Sequence, residues 1–130
     1  MDNLLSFIGL MKRAGAVAIG AENAYDAARL YRARLLLLAS DASRNTAGAA
    51  RNAQGDSDTP LLTLPYTKAE LGAALGQKEC AAMAVLDTGF AAALCEKLGK
   101  TAELELMQRR LAREKSRKTG GKKGPGKNKQ

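Results

Sequence analysis

The amino-acid sequence predicts an α/β protein: a three-layer α/β/α sandwich with a mixed, mostly parallel four-stranded sheet. Short apolar segments alternate with helical patterns along most of the chain, which is typical of strands joined by helical crossovers on both faces of a sheet. Residues 35–39 form a continuous aliphatic run, as expected of a strand that is buried on both faces. A length of 130 residues and a hydrophobic content of 45% suit one domain with a real core.

The first helix is predicted over residues 3–14 and the first strand over residues 17–19. The helix rests on an apolar stripe at helical spacing, formed by Leu4, Leu5, Ile8 and Met11. Asp2 or Asn3 can cap its beginning, and Gly15 can end it.

The second helix is predicted over residues 22–31, with Leu30 and Tyr31 on its inner side. After the aliphatic strand, Ser43 can cap a third helix over residues 44–53. A third strand is predicted over residues 61–64, after a polar loop.

Thr67 and Glu70 fit a capping box, which predicts a fourth helix that ends at Gly76. The last strand is predicted over residues 82–86. A fifth helix follows over residues 90–98, started by Asp87 or Thr88 and ended by Gly99.

Charge divides the chain into two predicted parts. Residues 1–99 carry ten basic and ten acidic residues, whereas residues 100–130 carry eleven basic and three acidic ones. We therefore predict a folded domain over residues 1–99 and a basic, largely disordered tail over residues 100–130. Leu104, Met107 and Leu111 allow a short helix over residues 102–115 at the start of that tail.

The residue inventory argues against several classes of function. There is no histidine, and the two cysteines, Cys80 and Cys95, lie far apart in the sequence. This removes the commonest general base and the usual zinc ligands, so we expect no enzyme, no metal and no cofactor. The cysteines are expected to be reduced, half-buried thiols of a cytoplasmic protein. No apolar run is long enough to span a bilayer.

The first candidate binding site is the start of the second helix. Gly20 precedes it, and Glu22, Asn23 and Asp26 lie in its first two turns. Amide groups at a helix start are unpaired and can bind phosphate or base edges. The alternative is ordinary capping, with the acidic side chains stabilised by the positive end of the helix dipole.

Two further candidates lie elsewhere in the predicted domain. The loop before the last strand, residues 77–81, comprises Gln77, Lys78, Glu79, Cys80 and Ala81. Arg34 precedes the second strand and is a candidate phosphate contact. A plain solvated loop and an ordinary surface arginine are the alternatives.

The tail is the fourth candidate, because its cations are not balanced by acids. Such a segment can supply affinity for phosphates but cannot distinguish base sequences; the alternative is a solubilising tail. The predicted phosphate contacts are Arg109, Arg110, Arg113, Lys115, Arg117, Lys118, Lys122 and Lys123.

The order and spacing of several segments resemble the kink-turn-binding ribosomal protein family, the L-seven-Ae and L-thirty-e superfamily, and in particular its bacterial YlxQ-like branch. The resemblance spans about residues 3–98, and no single segment is specific by itself. The segments that carry it are residues 9–15, 20–26, 36–43, 70–72 and 85–90.

The resemblance implies a noncatalytic domain that grips sharply kinked RNA with the start of its second helix and the loop before its last strand. In the family the helix motif commonly has Asn-Glu followed three residues later by Lys. Here the order is Glu22-Asn23, and Asp26 stands in place of the Lys. An acidic side chain at that position is expected to repel phosphate.

We therefore predict a monomeric, cytoplasmic bacterial protein that binds kink-turn or other structured RNA. Its expected partners are ribosomal or other structured RNAs and components of the ribosome or another ribonucleoprotein, with no membrane partner. The alternative is a nucleic-acid chaperone driven by its basic tail, whose folded body is a protein-docking module.

Overall fold

A computed structural model describes residues 2–122 of the chain, with side chains described through residue 116. Within these residues the chain forms six helices and four strands; helices and strands alternate from α1 to α5, and α6 follows α5 directly. They are α1 (Asn3–Arg13), β1 (Val17–Ile19), α2 (Ala21–Arg29), β2 (Leu35–Leu38), α3 (Arg44–Gln54), β3 (Leu61–Thr63), α4 (Lys68–Leu75), β4 (Ala82–Val85), α5 (Thr88–Leu98) and α6 (Thr101–Lys122).

The four strands form one mixed sheet in the order β1-β4-β2-β3. β2 pairs with β3 in parallel, whereas β4 lies antiparallel between β1 and β2. Three strands therefore run in one direction and β4 runs against them. The predicted α/β class and mixed sheet are confirmed, although two of the three strand pairings are antiparallel.

Side chains of the sheet alternate between two apolar layers, as the period of a strand requires. On one side, residues of β2 and β4 pack with α1, α4, α5 and α6; this layer includes Leu35, Leu37, Met83, Val85, Ile8, Met11, Leu71, Leu75 and Leu94. On the other side they pack with α2 and α3; this layer includes Leu36, Leu38, Ala82, Ala84, Ala24, Ala28, Ala50 and Ala53. The small alanine side chains let α2 and α3 lie close to the sheet.

Helix starts follow the capping chemistry of the sequence. Asp2 caps α1, Ser43 caps α3 and Asp87 caps α5, each by accepting a hydrogen bond from a first-turn amide. Thr67 and Glu70 form the reciprocal capping box at α4. These polar contacts set where each helix begins and therefore where each preceding loop turns.

The end of α2 differs from the prediction. The helix stops at Arg29, Leu30 follows as its cap, and Tyr31 has a positive φ of 57°. Leu30 and Tyr31 are 64% and 75% exposed, so their predicted position on the inner face is wrong. The chain leaves the helical path before either side chain can turn toward the sheet.

The first part of the predicted tail is also corrected. Residues 101–122 are helical, so the helix extends beyond the anticipated range of 102–115. Met107 is 2% exposed and belongs to the apolar layer beside α5, with Leu104 and Leu111 packed against it. The apolar stripe that allowed a short helix here thus covers a surface beside α5, while the division into a domain and a largely disordered tail stays a prediction.

Within the part of the chain that the structure describes, no helix is both long and apolar enough to cross a bilayer. Both cysteines are free and fully buried rather than half-buried.

Candidate nucleic-acid interface

The turn from β1 into α2 is built on Gly20. This residue has a φ of 95°, a backbone conformation that residues with a Cβ rarely adopt. It occupies the N-cap position and has no side chain to cap the helix. The first helical hydrogen bond of the turn runs from the amide of Ala24 to the carbonyl of Gly20. The amides of Ala21, Glu22 and Asn23 therefore have no partner within the helix.

Glu22 and Asn23 are both exposed at this helix start. Asn23 donates from Nδ2 to the carbonyl of Ile19, at 2.9 Å, which fixes the direction of its side chain. No side chain accepts a hydrogen bond from the first-turn amides. Ordinary side-chain capping, the alternative to a binding site, is therefore not observed at this helix. What remains of it is the favourable interaction of the Glu22 carboxylate with the helix dipole.

Asp26 lies one turn further along α2 and is also exposed. Its carboxylate forms an ion pair with Arg29 at 3.1 Å. The pair is exposed on both sides and so contributes little to stability. It does, however, place a cation beside the one acidic residue that departs from the pattern of the RNA-binding family.

Loop 77–81 is next to this helix start. The amide of Gly20 donates to the carbonyl of Ala82 at 3.0 Å, and the amide of Ala39 donates to the carbonyl of Ala81 at 2.9 Å. The loop therefore meets the ends of β1 and β2 at what we call the carboxyl end of the sheet. The exposed side chains there belong to Gln77, Lys78 and Glu79, and Ala81 is half-buried.

The loop is held against α4 by its backbone. The amide of Gln77 donates to the carbonyl of Gly72, and the amide of Cys80 donates to the carbonyl of Lys68. A Cβ on Gly72 would lie 2.6 Å from the Cα of Glu79. The close approach of helix and loop therefore depends on a glycine at this position.

Cys80 is the member of the loop whose predicted role is corrected. Its side chain is 2% exposed and its Sγ donates to the carbonyl of Ala82. Burial raises the pKa of this thiol, and the amide of Gly20 partly opposes the rise. The side chain cannot contact RNA; it packs beneath the turn and supports it.

Arg34 is not part of this surface. It precedes β2, and its amide donates to the carbonyl of Val85 at the end of β4. Because β1 and β2 run in the same direction, a residue before β2 and a residue after β1 lie at opposite ends of the sheet. A four-residue strand separates them by roughly 13 Å.

The described tail residues lie on α6. Arg109, Arg113 and Lys115 are exposed, whereas Arg110 is half-buried, with its Nε 3.5 Å from Oε2 of Glu114. Glu114 also accepts a hydrogen bond from the hydroxyl of Thr88 at the start of α5. Arg110 therefore lies at the end of the sheet that is opposite to the start of α2.

Three of the four remaining predicted contacts lie in α6 beyond the described side chains, namely Arg117, Lys118 and Lys122. Lys123 lies outside the described residues altogether. Sequence reasoning did not single out Arg29, whose contact with Asp26 could have been anticipated from their spacing of three residues on one helix.

Comparison with known proteins shows structures of similar fold but does not show to which family the chain belongs. No model of a known protein family matches the sequence, and no curated protein matches it. A solved protein of unknown function from Bacillus halodurans is similar with a TM-score of 0.67 and 27% identity, covering 81% of this chain and 99% of that one. A 15.5kD RNA-binding protein from Giardia lamblia is similar with a TM-score of 0.60 and 21% identity, covering 78% of this chain and 86% of that one.

Proposed function

We propose that this is a noncatalytic RNA-binding protein whose recognition surface combines the start of α2 with loop 77–81. The observation that carries the proposal is the hydrogen bond from the amide of Gly20 to the carbonyl of Ala82. It joins unpaired helix-start amides to a loop with exposed polar side chains. This combination suits a backbone phosphate and a splayed base better than a regular duplex.

The likeness to the Giardia lamblia RNA-binding protein supports an RNA partner for this fold. The sequence resemblance goes further and favours a kink-turn or another sharply bent RNA, in the manner of the YlxQ-like branch. On this proposal the protein acts as a monomer in a bacterial cytoplasm, on ribosomal or other structured RNA.

The charge distribution supports separate roles in RNA binding for the folded body and for the basic segment after residue 100. Residues 1–99 have equal numbers of acidic and basic side chains, so the folded body has little general attraction for phosphate. The basic segment after residue 100 supplies that attraction. The start of α2 and loop 77–81 then select a shape among the RNAs that are held.

A band-shift comparison tests recognition at the start of α2. The full chain should bind a kink-turn RNA more tightly than a duplex of equal length without the bulge. Replacing Glu22 and Asn23 together by Ala should weaken kink-turn binding by about tenfold or more, since each loses hydrogen bonds to the RNA.

The matched control replaces the exposed pair Asn52 and Glu96 by Ala, which changes the same residue types far from the proposed surface. It should leave binding unchanged. Equal affinity of the wild-type chain for kinked and plain RNA would contradict shape recognition, and unchanged kink-turn binding by the Glu22 and Asn23 variant would contradict this surface.

The second candidate function is a nonspecific nucleic-acid chaperone, favoured by the concentration of basic residues after residue 100. Removing the tail would be an ambiguous test, because Met107 on α6 is part of the core. Neutralising Arg109, Arg113 and the basic residues at positions 117–129 to Gln keeps the helix. Loss of all RNA binding in this variant would favour the chaperone, whereas retained preference for the kinked RNA would favour recognition by the folded body.

A further inference from the structure

A polar pocket of about 250 Å³ lies at the end of the sheet opposite to the start of α2. It is enclosed by the segment after α2, the loop after α3 and one face of α6. Six of its lining residues carry recognisable chemistry: Tyr31, Arg34, Asp56, Asp58, Thr59 and Arg110.

Two guanidinium groups meet in this pocket. Arg34 donates from Nη1 to the carbonyl of Tyr31, at 3.1 Å, and Arg110 pairs with Glu114. Burial lowers the pKa of Arg34, and the nearby positive charge of Arg110 lowers it further. Within the described part of the chain the buried Nε of Arg34 has no hydrogen-bond partner, and the buried Nε of Arg110 has only its ion pair with Glu114. These Nε atoms are too deeply buried for a ligand to reach, so any contact with acceptor atoms in the pocket must come from the terminal nitrogens of the two guanidiniums.

Two carboxylates face the same space. Asp56 and Asp58 line the pocket and are exposed, and the ion pairs formed among the described side chains do not include either of them. Together with Glu114, which pairs with Arg110, these carboxylates more than offset the charge of the two guanidiniums, so a bare phosphate would gain little there. The chemistry instead fits a neutral ligand that carries both hydrogen-bond donors and acceptors.

Tyr31 supplies a flat apolar surface at the pocket. Its φ of 57° is unfavourable for a residue with a large side chain. The ring is 75% exposed, so packing inside the protein does not offset this strain. The hydrogen bonds that end α2 hold this conformation and leave the ring exposed beside the pocket, where a planar ligand can stack on it.

We propose that this pocket holds an unpaired guanine base of the bound RNA. Guanidinium groups are the preferred donors to O6 and N7 of guanine. The carboxylates of Asp56 and Asp58 can accept from its N1–H and its amino group, and the ring of Tyr31 can stack on its face. Adenine keeps N7 but has an amino group in place of O6 and no N1–H, so it loses the paired contact with a guanidinium and the contact of N1–H with a carboxylate.

The volume agrees with one base. A space of about 250 Å³ equals that of about eight water molecules and lies below the usual range of pockets for drug-sized ligands. The inference rests on the proposal that the partner is RNA, but it concerns a different surface. RNA bound at the start of α2 would have to extend along the length of the sheet to reach this pocket, near which Arg109 and Arg113 are exposed on α6.

The direct test is an NMR titration of the full chain with GMP, AMP, CMP, UMP and inorganic phosphate. GMP should bind about tenfold more tightly than AMP and should shift the amide signals of residues 31–34 and 56–59. Equal responses to all four nucleotides and phosphate would indicate charge alone and overturn the proposal. Absence of any response at these residues would overturn it as well.

Variants separate the pocket from a general effect of charge. Tyr31→Ala should weaken GMP binding about tenfold, because stacking on one aromatic ring contributes that much, and its exposed position keeps the fold intact. Asp58→Asn should also weaken it. Arg109→Gln is the matched control, because Arg109 neighbours Arg110 on α6 but does not line the pocket. Full GMP affinity in Tyr31→Ala would overturn the inference.

Two further arms distinguish this inference from the proposed function. The Glu22 and Asn23 double variant should retain full GMP binding while it loses the kinked RNA. A five-nucleotide RNA with one central G among U residues should bind more tightly than its counterpart with a central A. If GMP binds but the protein does not distinguish these two oligonucleotides, the pocket binds a free nucleotide. That result would overturn the proposal that it holds a guanine base of RNA.

Discussion

Tyr31 occupies a backbone position that usually belongs to glycine. Its amide donates to the carbonyl of Ala28 and the next amide donates to the carbonyl of Ala27, which is how a helix commonly ends around a left-handed residue. At the residue scale, therefore, the most informative position is one that breaks a local rule. Its neighbour Arg34 holds the strained carbonyl in place.

We predict that Tyr31→Gly stabilises the protein by about 1 kcal/mol, because glycine adopts this conformation without a steric penalty. Urea unfolding of the full chain measures the change. Tyr31→Ala is the matched control; it keeps a Cβ and should gain much less. Equal stability of the Gly and Ala variants would show that the backbone here is not strained.

A second prediction at this scale concerns Tyr66, whose hydroxyl donates to both carboxylate oxygens of Asp2, at 3.0 and 2.9 Å. Burial and this carboxylate raise the pKa of Tyr66 to about 12 in the folded protein, from 10. The folded state thus holds its proton more tightly, so the resulting stability is present below pH 10 and is lost between pH 10 and 12. Tyr66→Phe should be less sensitive to pH in that window.

Melting temperatures between pH 8 and 12 measure this difference. Some alkaline loss should remain in the variant, because burial also raises the pKa of Cys95 to about 11 and raises that of Tyr25. Parallel melting curves for wild type and Tyr66→Phe across the window would contradict the role assigned to the hydroxyl.

At the scale of elements, the contact between α4 and loop 77–81 determines the proposed RNA surface. Gly72 lets the loop backbone lie directly on the helix, and Gly20 lets β1 turn into α2 beside it. The two glycines act differently: a Cβ on Gly72 would collide with the loop, whereas Gly20 has open space around it and is needed for its positive φ. The geometry of the proposed site thus depends on two glycines as well as on its polar side chains.

We predict that Gly72→Ala destabilises the protein by about 1–3 kcal/mol and weakens recognition of the kinked RNA, because the added Cβ would push against Glu79 and Gln77. Gly48→Ala in α3 is the matched control, since nothing lies within 4 Å of its added Cβ. It should stabilise by about 0.5–1 kcal/mol. Denaturant unfolding measures the stability of both variants, and band shifts measure their RNA binding. Equal effects of the two substitutions would contradict the predicted steric clash at Gly72.

The docking of α6 is the second question at this scale. Met107 is fully buried among the residues of the larger apolar layer. Met107→Ala should therefore cost about 2–5 kcal/mol of unfolding free energy. Glu105→Ala, at an exposed position of the same helix, should cost almost nothing. A neutral Met107→Ala would mean that α6 is not part of the folded body.

At the scale of the whole molecule, charge and shape are separated in space. The folded body is nearly neutral, and the excess of basic residues lies in the last quarter of the chain. The proposed shape-reading surface lies at one end of the sheet, and the described arginines of α6 begin at the other. An RNA that used both would have to span the domain.

This separation predicts a specific salt dependence. Each phosphate that a cation neutralises contributes to the slope of log affinity against log salt, by about 0.9 for duplex and 0.7 for single-stranded nucleic acid. The variant neutralised at Arg109, Arg113 and positions 117–129 should show a much shallower slope. Its preference for kinked over plain RNA should persist. An unchanged slope would contradict phosphate contact by this segment.

Local chemistry made most elements predictable. Two kinds of feature act on their immediate neighbours and can therefore be identified from the sequence. They are the capping residues, such as Ser43, Thr67 and Asp87, and the aliphatic run of β2. The α2 boundary failed because Leu30 and Tyr31 continue a helical pattern that the turn into β2 interrupts. The stripe of Leu104, Met107 and Leu111 indicated a helix, but its packing against α5 and its extension to residue 122 were not predicted, because the segment is strongly charged.

By itself the sequence determined the order of the helices and strands, the α/β class, the candidate residues at the start of α2 and the concentration of charge after residue 100. Only the tertiary structure decided which candidates meet: it brought Gly20 to loop 77–81, buried Cys80, and moved Arg34 to the far end of the sheet beside Arg110. The physical reason is that caps and apolar periodicity act within a few residues along the chain. Strand order and direction, in contrast, are chosen by how distant apolar faces pack together.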